Sequence, residues 1–290
     1  PNMHFVLLHI LPQVPPLFRE KTETDSHIFK KMKKLEATHR ERGHEVLEKA
    51  KHHLVKHHVD PSRIEIRIRK RYNGVIKDII NEAHIGMFDA LVVGRRGMTR
   101  TQELFMGSVS SQLIQHITNI PLWIVDGQVS QPKVLIAVDG SPAGRRAVEY
   151  VAFILGKHPE AEASFLHVVP TLQPNYPVSG DYIDGSWASP PEDLTSIEAD
   201  FLENDDAQLH DFLKTAIDIL SQAGFTRERI RIEYREITLG IARTIINAAK
   251  EGGYGTIVLG RRGLGKSSFL GSVTDRVIRR VEDVAVWLIN

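Results

Sequence analysis

The sequence predicts an α/β protein of parallel sheets, and two observations carry that prediction. Apolar strand-like runs alternate with amphipathic helical runs along the 290 residues, which is the order that βαβ crossovers produce. Two stretches are also versions of one another: VVGRRGMTRTQELFMGSVSSQLIQHITNIPLWIV from Val92 and VLGRRGLGKSSFLGSVTDRVIRRVEDVAVWLI from Val258. Each runs from an apolar strand through a Gly-Arg-Arg-Gly loop to Gly-Ser-Val at a helix start, then into a second apolar strand. A glycine loop after a strand lets backbone amides approach an anion, and a helix N-terminus adds partial positive charge behind it. The repeat predicts two phosphate-binding domains, residues 1–128 and 129–290.

In chain order, the first strand is the apolar run of MHFVLLHILP, whose His9 corresponds to His167 in ASFLHVVP. A lone histidine in an apolar strand reads as structural. Ile64–Arg69 alternates apolar and charged residues as strictly as its counterpart Ile230–Arg235, and such alternation belongs to a sheet edge. Val75, Ile76, Ile79, Ile80 and Ala83 then form one helical stripe, repeated by Ile241, Ala242, Ile245, Ile246 and Ala249. These helices cover a sheet. Val134–Val138, Phe165–Val169 and Ile257–Leu259 are apolar on both faces and should be central. The last strand of each half, Leu122–Val125 and Val286–Ile289, stays apolar where an edge would be expected. An exposed apolar edge invites pairing, so these two strands are expected to meet in an internal pseudo-dimer, and the chain is a candidate homodimer. DGQVSQ at Asp126–Gln131 marks the boundary between halves. Thr171–Asp200, rich in Pro, Gly, Ser and acidic residues, is too long for an ordinary connection and reads as an irregular insertion, a lid or a disordered segment.

The second half opens with KVLIAVDGSPAGRRAVEYVAFILG from Lys133 before it reaches the strand of His167, whereas the first half begins directly at that later strand. About 25 residues, carrying a strand and a helix, are missing from the pattern ahead of Pro1. Loss of a central strand would cost more than the ~5–15 kcal/mol that holds a domain together. The sequence is therefore expected to be incomplete there, which intact mass of the protein would decide.

Composition narrows the function classes. The 25% charged and 42% hydrophobic fractions are ordinary for a globular protein. With no run of eighteen apolar residues and no basic segment leading an apolar core, neither a membrane span nor a signal peptide is predicted, and the cytoplasm is the expected compartment. Absence of cysteine excludes disulfides, thiolate metal sites and cysteine nucleophiles. Residues 1–127 hold 20 Lys and Arg against 14 Asp and Glu, and the remainder 17 against 22; two ordinary solvated surfaces account for that asymmetry. The lysine run Lys30–Lys34 has no interleaved aromatic residues for base stacking, so nucleic-acid binding is not read from it.

At the loops the chain resembles the universal stress protein family, over nearly its whole length apart from the irregular stretches. The family's nucleotide loop reads G-x2-G-x9-G-[ST], and Gly94, Gly97, Gly107 and Ser108 fit it without a gap. In the second half Gly260, Gly263, Gly271 and Ser272 keep the elements, with only seven residues between the inner glycines. The resemblance implies a five-stranded parallel, doubly wound sheet in each half, the first lacking its opening strand and helix. It also implies adenine nucleotide as partner, ATP or AMP, with magnesium accompanying ATP. Asp139, at the end of Ala137-Val138-Asp139, matches the family carboxylate that bonds ribose or base; the first half has no equivalent. Val168 and, in the first half, Ile10 match the position packed on adenine, with Leu259 and Val93 closing the slot. Gly271-Ser272-Val273 and Gly107-Ser108-Val109 would present amides and a hydroxyl to phosphate. Each half is incomplete in a different way, so at most one good site is expected, in the second half. The alternative is a nucleotide-free interaction scaffold. The bland reading of the same residues is that the glycines allow tight turns and Ser108 and Ser272 cap helices; the paired arginines Arg95-Arg96 and Arg261-Arg262 could neutralise phosphates, with a solvated loop the preferred assignment.

Gly260–Ser267 also satisfies the P-loop pattern G-x4-G-K-[ST] after an apolar strand. In that reading Lys266 contacts terminal phosphates and Ser267 a magnesium ion, but no metal-binding acid ends the following strand and the other half has no lysine-serine pair. Lys266 is then read as a phosphate contact within the stress-protein loop. His44, Glu48 and His52, like His53 and His57, share a helix face, yet His-Glu-x-x-Glu is not a zinc-protease motif and a solvated face explains it. No catalytic nucleophile, base or triad is evident, so at most slow ATP hydrolysis is expected.

Overall fold

The computed structural model describes residues 3–13, 26–96, 106–129, 131–169, 196–237, 239–261 and 270–290, with side chains from residue 207 in the helix that begins at 196. The chain divides into two compact units, Pro1–Met87 and Phe88–Asn290.

In the first unit, strand β1 (Phe5–Ile10), helix α1 (Ser26–Lys56), strand β2 (Ile64–Arg69) and helix α2 (Val75–Ile85) follow in order. β1 and β2 pair in parallel from Phe5↔Ile64 to Ile10↔Arg69, and α1 lies on both. Of the 31 residues of α1 only Gly43 and Leu47 are buried, because this helix covers a two-stranded sheet with one narrow face. His44, His52 and His53 are exposed, and His44 and Glu48 form an exposed pair 3.9 Å apart. The glutamate of α2, Glu82, takes Arg67 Nη1 at 3.0 Å and Arg69 Nε at 2.9 Å, which ties helix to strand.

The second unit holds strand β3 (Leu91–Gly94), helix α3 (Ser108–His116), strands β4 (Leu122–Val125) and β5 (Lys133–Val138), helix α4 (Pro142–Leu155), strand β6 (Glu162–Val169), helix α5 (Ser196–Ala223), strand β7 (Ile230–Glu236), helix α6 (Ile241–Glu251), strand β8 (Thr256–Gly260), helix α7 (Ser272–Arg280) and strand β9 (Ala285–Ile289). Its sheet runs β3-β4-β9-β8-β5-β6-β7. Neighbours are parallel apart from β4 and β9, which are antiparallel with Leu122↔Leu288, Trp123↔Trp287, Ile124↔Val286 and Val125↔Ala285. The expected pairing of the two last strands is therefore observed. Trp123 and Trp287 stack across it, 4.2 Å between centroids and 6° from coplanar. Burial of Leu122, Ile124, Val286 and Leu288 is what the apolar edges gain from it.

Strands β5 to β9 form one five-stranded parallel sheet, with β5 bonded to both β6 and β8. Phe165, Leu135, Ile136, Leu166 and Ile257 are fully buried within it. The alternating strand β7 is its edge, as its sequence predicts. Helix α4 packs on β5, β8 and β9 and against α5, while α6 packs on β6 and against α7. In the first half, β1–β2 and β3–β4 belong to separate sheets, because no described strand does for them what β5 does for β6 and β8. Ser196–Asp200, expected to be irregular, opens α5; the rest of Thr171–Asp200 lies outside the described residues. Among the described residues no helix is long and apolar enough to cross a membrane.

Candidate functional site

An open parallel sheet has its natural crevice at the carboxyl ends of the strands, where neighbouring connections run in opposite directions. Here that point lies at β5, whose chain continues to β6 on one side while β8 joins from the other. The pairings Val138↔His167 and Ile136↔Val258 bring Ala137, Val138, Val168, Leu259 and Gly260 to this one end of the sheet.

The turn after β5 fixes Asp139. Its Oδ1 accepts from the Ser141 amide at 3.1 Å, Gly140 takes φ +72, and Ser141 Oγ accepts from the Gly144 amide at 3.1 Å to cap α4. Asp139 itself is exposed, so its carboxylate is at once oriented and accessible. On β6, His167 Nδ1 lies 3.1 Å from the Val138 carbonyl. A carbonyl only accepts, so Nδ1 carries the proton and the ring serves as a strut, which matches its structural reading. Leu259 is buried and Val168 half-buried.

Beyond β8, α7 starts at an N-cap glycine, Gly271, with no side-chain cap. The serines stand one position later: Ser108 and Ser272 are the first helical residues, so neither is the N-cap. The first-turn amides of a helix have no intrahelical partner, and a helix start of this kind, beside the exposed Ser272 hydroxyl, suits an anion. The position of this start is set by the loop's ends: the Gly271 amide donates to the Arg261 carbonyl at 2.9 Å, and Thr274 Oγ1 to the Gly260 carbonyl at 3.0 Å. Gly263 and Lys266, with the rest of the P-loop-like run to Ser267, lie outside the described residues.

The first half repeats the loop's frame. Gly107 is an uncapped N-cap, its amide donates to the Arg95 carbonyl at 2.9 Å, and Ser110 Oγ donates to the Gly94 carbonyl at 2.7 Å. Ser108 and Val109 are exposed and Val93 half-buried. Gly97 lies outside the described residues, and Ile10 ends β1 in the other unit. Ser110 and Thr274 escaped the sequence reading, although the aligned hydroxyls of GSVS and GSVT are a legible signal.

The paired arginines correct an expectation. Arg95 and Arg261 are only 5% and 4% exposed, not in a solvated loop. Arg95 Nη1 meets Asp126 at 3.2 Å and its Nη2 donates to the Arg279 carbonyl at 2.8 Å. Arg261 donates to Asn290 Oδ1 and the Ile114 carbonyl, each at 2.6 Å, and to the Ile117 carbonyl. Arg96, more exposed, also reaches Asp126. A separate hollow of about 340 Å³ is lined by Arg146, Glu149, Tyr150, Phe153 and Asn290 among others; it includes neither Asp139 nor Gly271. Among the described residues no cluster of three or more His, Asp or Glu could hold a metal ion.

Strand order and crevice define the class: an open, doubly wound α/β protein. The sequence profile of the universal stress protein family matches twice, at residues 2–126 and 132–287, and the chain belongs to that family, as a tandem of two such domains. Its fold is that of a crystal structure of a universal stress protein from Archaeoglobus fulgidus DSM 4304, at TM-score 0.58 and 20% identity over 98% of this chain and 85% of that one. A structure of a putative universal stress protein from Pseudomonas aeruginosa UCBPP-PA14 is similar at TM-score 0.54 and 14% identity, over 98% and 92%. No curated protein sequence matches the chain.

Proposed function

We propose that this chain is a stress-response module that binds one adenine nucleotide, ATP or AMP, in its second half, divided at residue 128 into two family domains and working in the cytoplasm. The observation that supports this is the convergence at one sheet end of an oriented, exposed carboxylate, Asp139, and an uncapped helix N-terminus, Gly271-Ser272-Val273. Adenine would lie between Val168 and Leu259, its ribose on Asp139 and its phosphates, with magnesium in the case of ATP, on the amides of Gly271–Val273. The first half repeats the loop's frame in Gly94, Gly107 and Ser108.

Mass spectrometry of nucleotide released from the purified protein, followed by calorimetric titration with ATP and AMP, tests this. One adenine nucleotide per chain is expected. Asp139→Ala removes the ribose acceptor and Gly271→Val adds bulk beside the phosphate amides; each should lower affinity by roughly tenfold or more, the scale of one charge-assisted hydrogen bond. No released nucleotide and no heat at millimolar ATP would refute the reading.

A further inference from the structure

Each Gly-Arg-Arg-Gly loop sends the side chain of its first arginine into the other repeat. The backbone carbonyl of Arg95 holds the Gly107 amide at the start of α3, while its guanidinium binds the Arg279 carbonyl in the last turn of α7. The backbone carbonyl of Arg261 holds the Gly271 amide at the start of α7, while its guanidinium binds the Ile114 and Ile117 carbonyls at the end of α3. The last carbonyls of a helix have no intrahelical partner, and a cation beside them complements the helix dipole. Each phosphate helix is thus held at its N-terminus by its own loop and at its C-terminus by the arginine of the opposite loop.

The helices are nine residues each, about 13 Å long at 1.5 Å per residue. Val277 and Ile278 of α7 and Leu113 and Ile114 of α3 are buried, so each helix is packed into the core along one face. Further anchors strengthen the crossing: Asp126 pairs with Arg95 and also accepts from the Asp283 amide, and Asn290 accepts from Arg261 while donating to the Ile120 carbonyl. Breaking one side of so buried a charged contact leaves the other side unpaired, which is costly.

We infer that Arg95 is a positioning residue for the nucleotide site of the second half, acting through α7, and that Arg261 holds the matching place for the first half through α3, so that the two loops are mechanically coupled. The inference rests on the nucleotide reading of the second-half site. It makes an inverted expectation. If these arginines neutralised phosphate, the arginine of the binding loop itself, Arg261, would matter most for ATP; if they clamp across, Arg95 of the other loop does.

The test uses the full chain with Arg95→Met, Arg261→Met and Arg95→Lys, titrated with ATP by calorimetry, together with hydrogen exchange of the α3 and α7 amides without nucleotide. Arg95→Met is expected to weaken ATP binding roughly tenfold, within the range that a residue touching neither ligand exerts through a packed network. The loss from Arg261→Met should be at least threefold smaller, although both variants lower the melting temperature. Arg95→Lys, which keeps the charge and loses the fork, should recover part of the affinity and stands in if Arg95→Met does not fold. Equal losses, or a larger loss from Arg261→Met, overturn the inference. Should the wild-type chain bind no ATP, the nucleotide reading fails by itself and exchange decides the coupling. Faster exchange over Ser272–Arg280 in the Arg95 variants and over Ser108–His116 in Arg261→Met upholds it; acceleration confined to each arginine's own repeat overturns it.

Discussion

Gly43 stands in the middle of α1, a place where alanine would ordinarily gain about 1 kcal/mol. Here a Cβ would fall 2.7 Å from Cδ2 of His9 and 3.2 Å from its Nε2, well inside contact distance. His9 lies on β1, and burial lowers its imidazole pKa from the ordinary value of 6.5. The glycine is the notch that admits that ring. Gly43→Ala should therefore destabilise the Pro1–Met87 unit by about 1–3 kcal/mol, the usual cost of overpacking. In a His9→Ala background the same change should be neutral or stabilising. Chemical denaturation of the single and double variants measures both effects, and a gain from Gly43→Ala alone would show that the ring simply turns aside.

At the scale of the element, the joint between β4 and β9 concentrates its contacts on two residues. Trp123 and Trp287 stack at 4.2 Å, and Tyr150 of α4 meets both edge-on, with centroids 6.4 and 6.0 Å away. Trp287→Ala should cost about 3–5 kcal/mol, as truncation of a buried large aromatic does, and a double-mutant cycle with Trp123→Ala should return a coupling near 1 kcal/mol. Additive losses in urea titrations would mean that the rings are neighbours without being partners. This joint was legible in the sequence because apolar residues in a strand that ends a domain have no other use. The edge position of β7 was legible for the converse reason, since Arg231, Glu233 and Arg235 alternate with apolar residues. The destination of Arg95 was not. A carbonyl 184 residues further along the chain leaves no local mark, and a Gly-Arg-Arg-Gly loop looks like a solvated turn until the opposite helix is in place. Serine capping, the bland alternative for Ser108 and Ser272, shows a finer limit: whether glycine or serine takes the N-cap is a shift of one residue, below what a pattern resolves.

For the molecule as a whole, the antiparallel bond between β4 and β9 joins strands from two homologous halves into one sheet, so the Phe88–Asn290 unit has a continuous core from α3 to β7. Leu113 and Ile117 from the first half, and Ile278, Ile257 and Phe165 from the second, are all fully buried in it. The buried arginine clamps cross the same boundary in both directions. A unit built this way should unfold in one cooperative step rather than half by half. Leu113→Ala is a direct probe, because the side chain it truncates belongs to a helix of the first half. It should cost about 2–5 kcal/mol, and if the unit is one cooperative body the slowest-exchanging amides of β5 and β6 must lose the same amount as those of β4. Native-state hydrogen exchange reads both strands in one experiment. Protection of β5 and β6 left at its wild-type level would mean that the second half folds without its neighbour, and that the joint is a docking contact between two independent bodies.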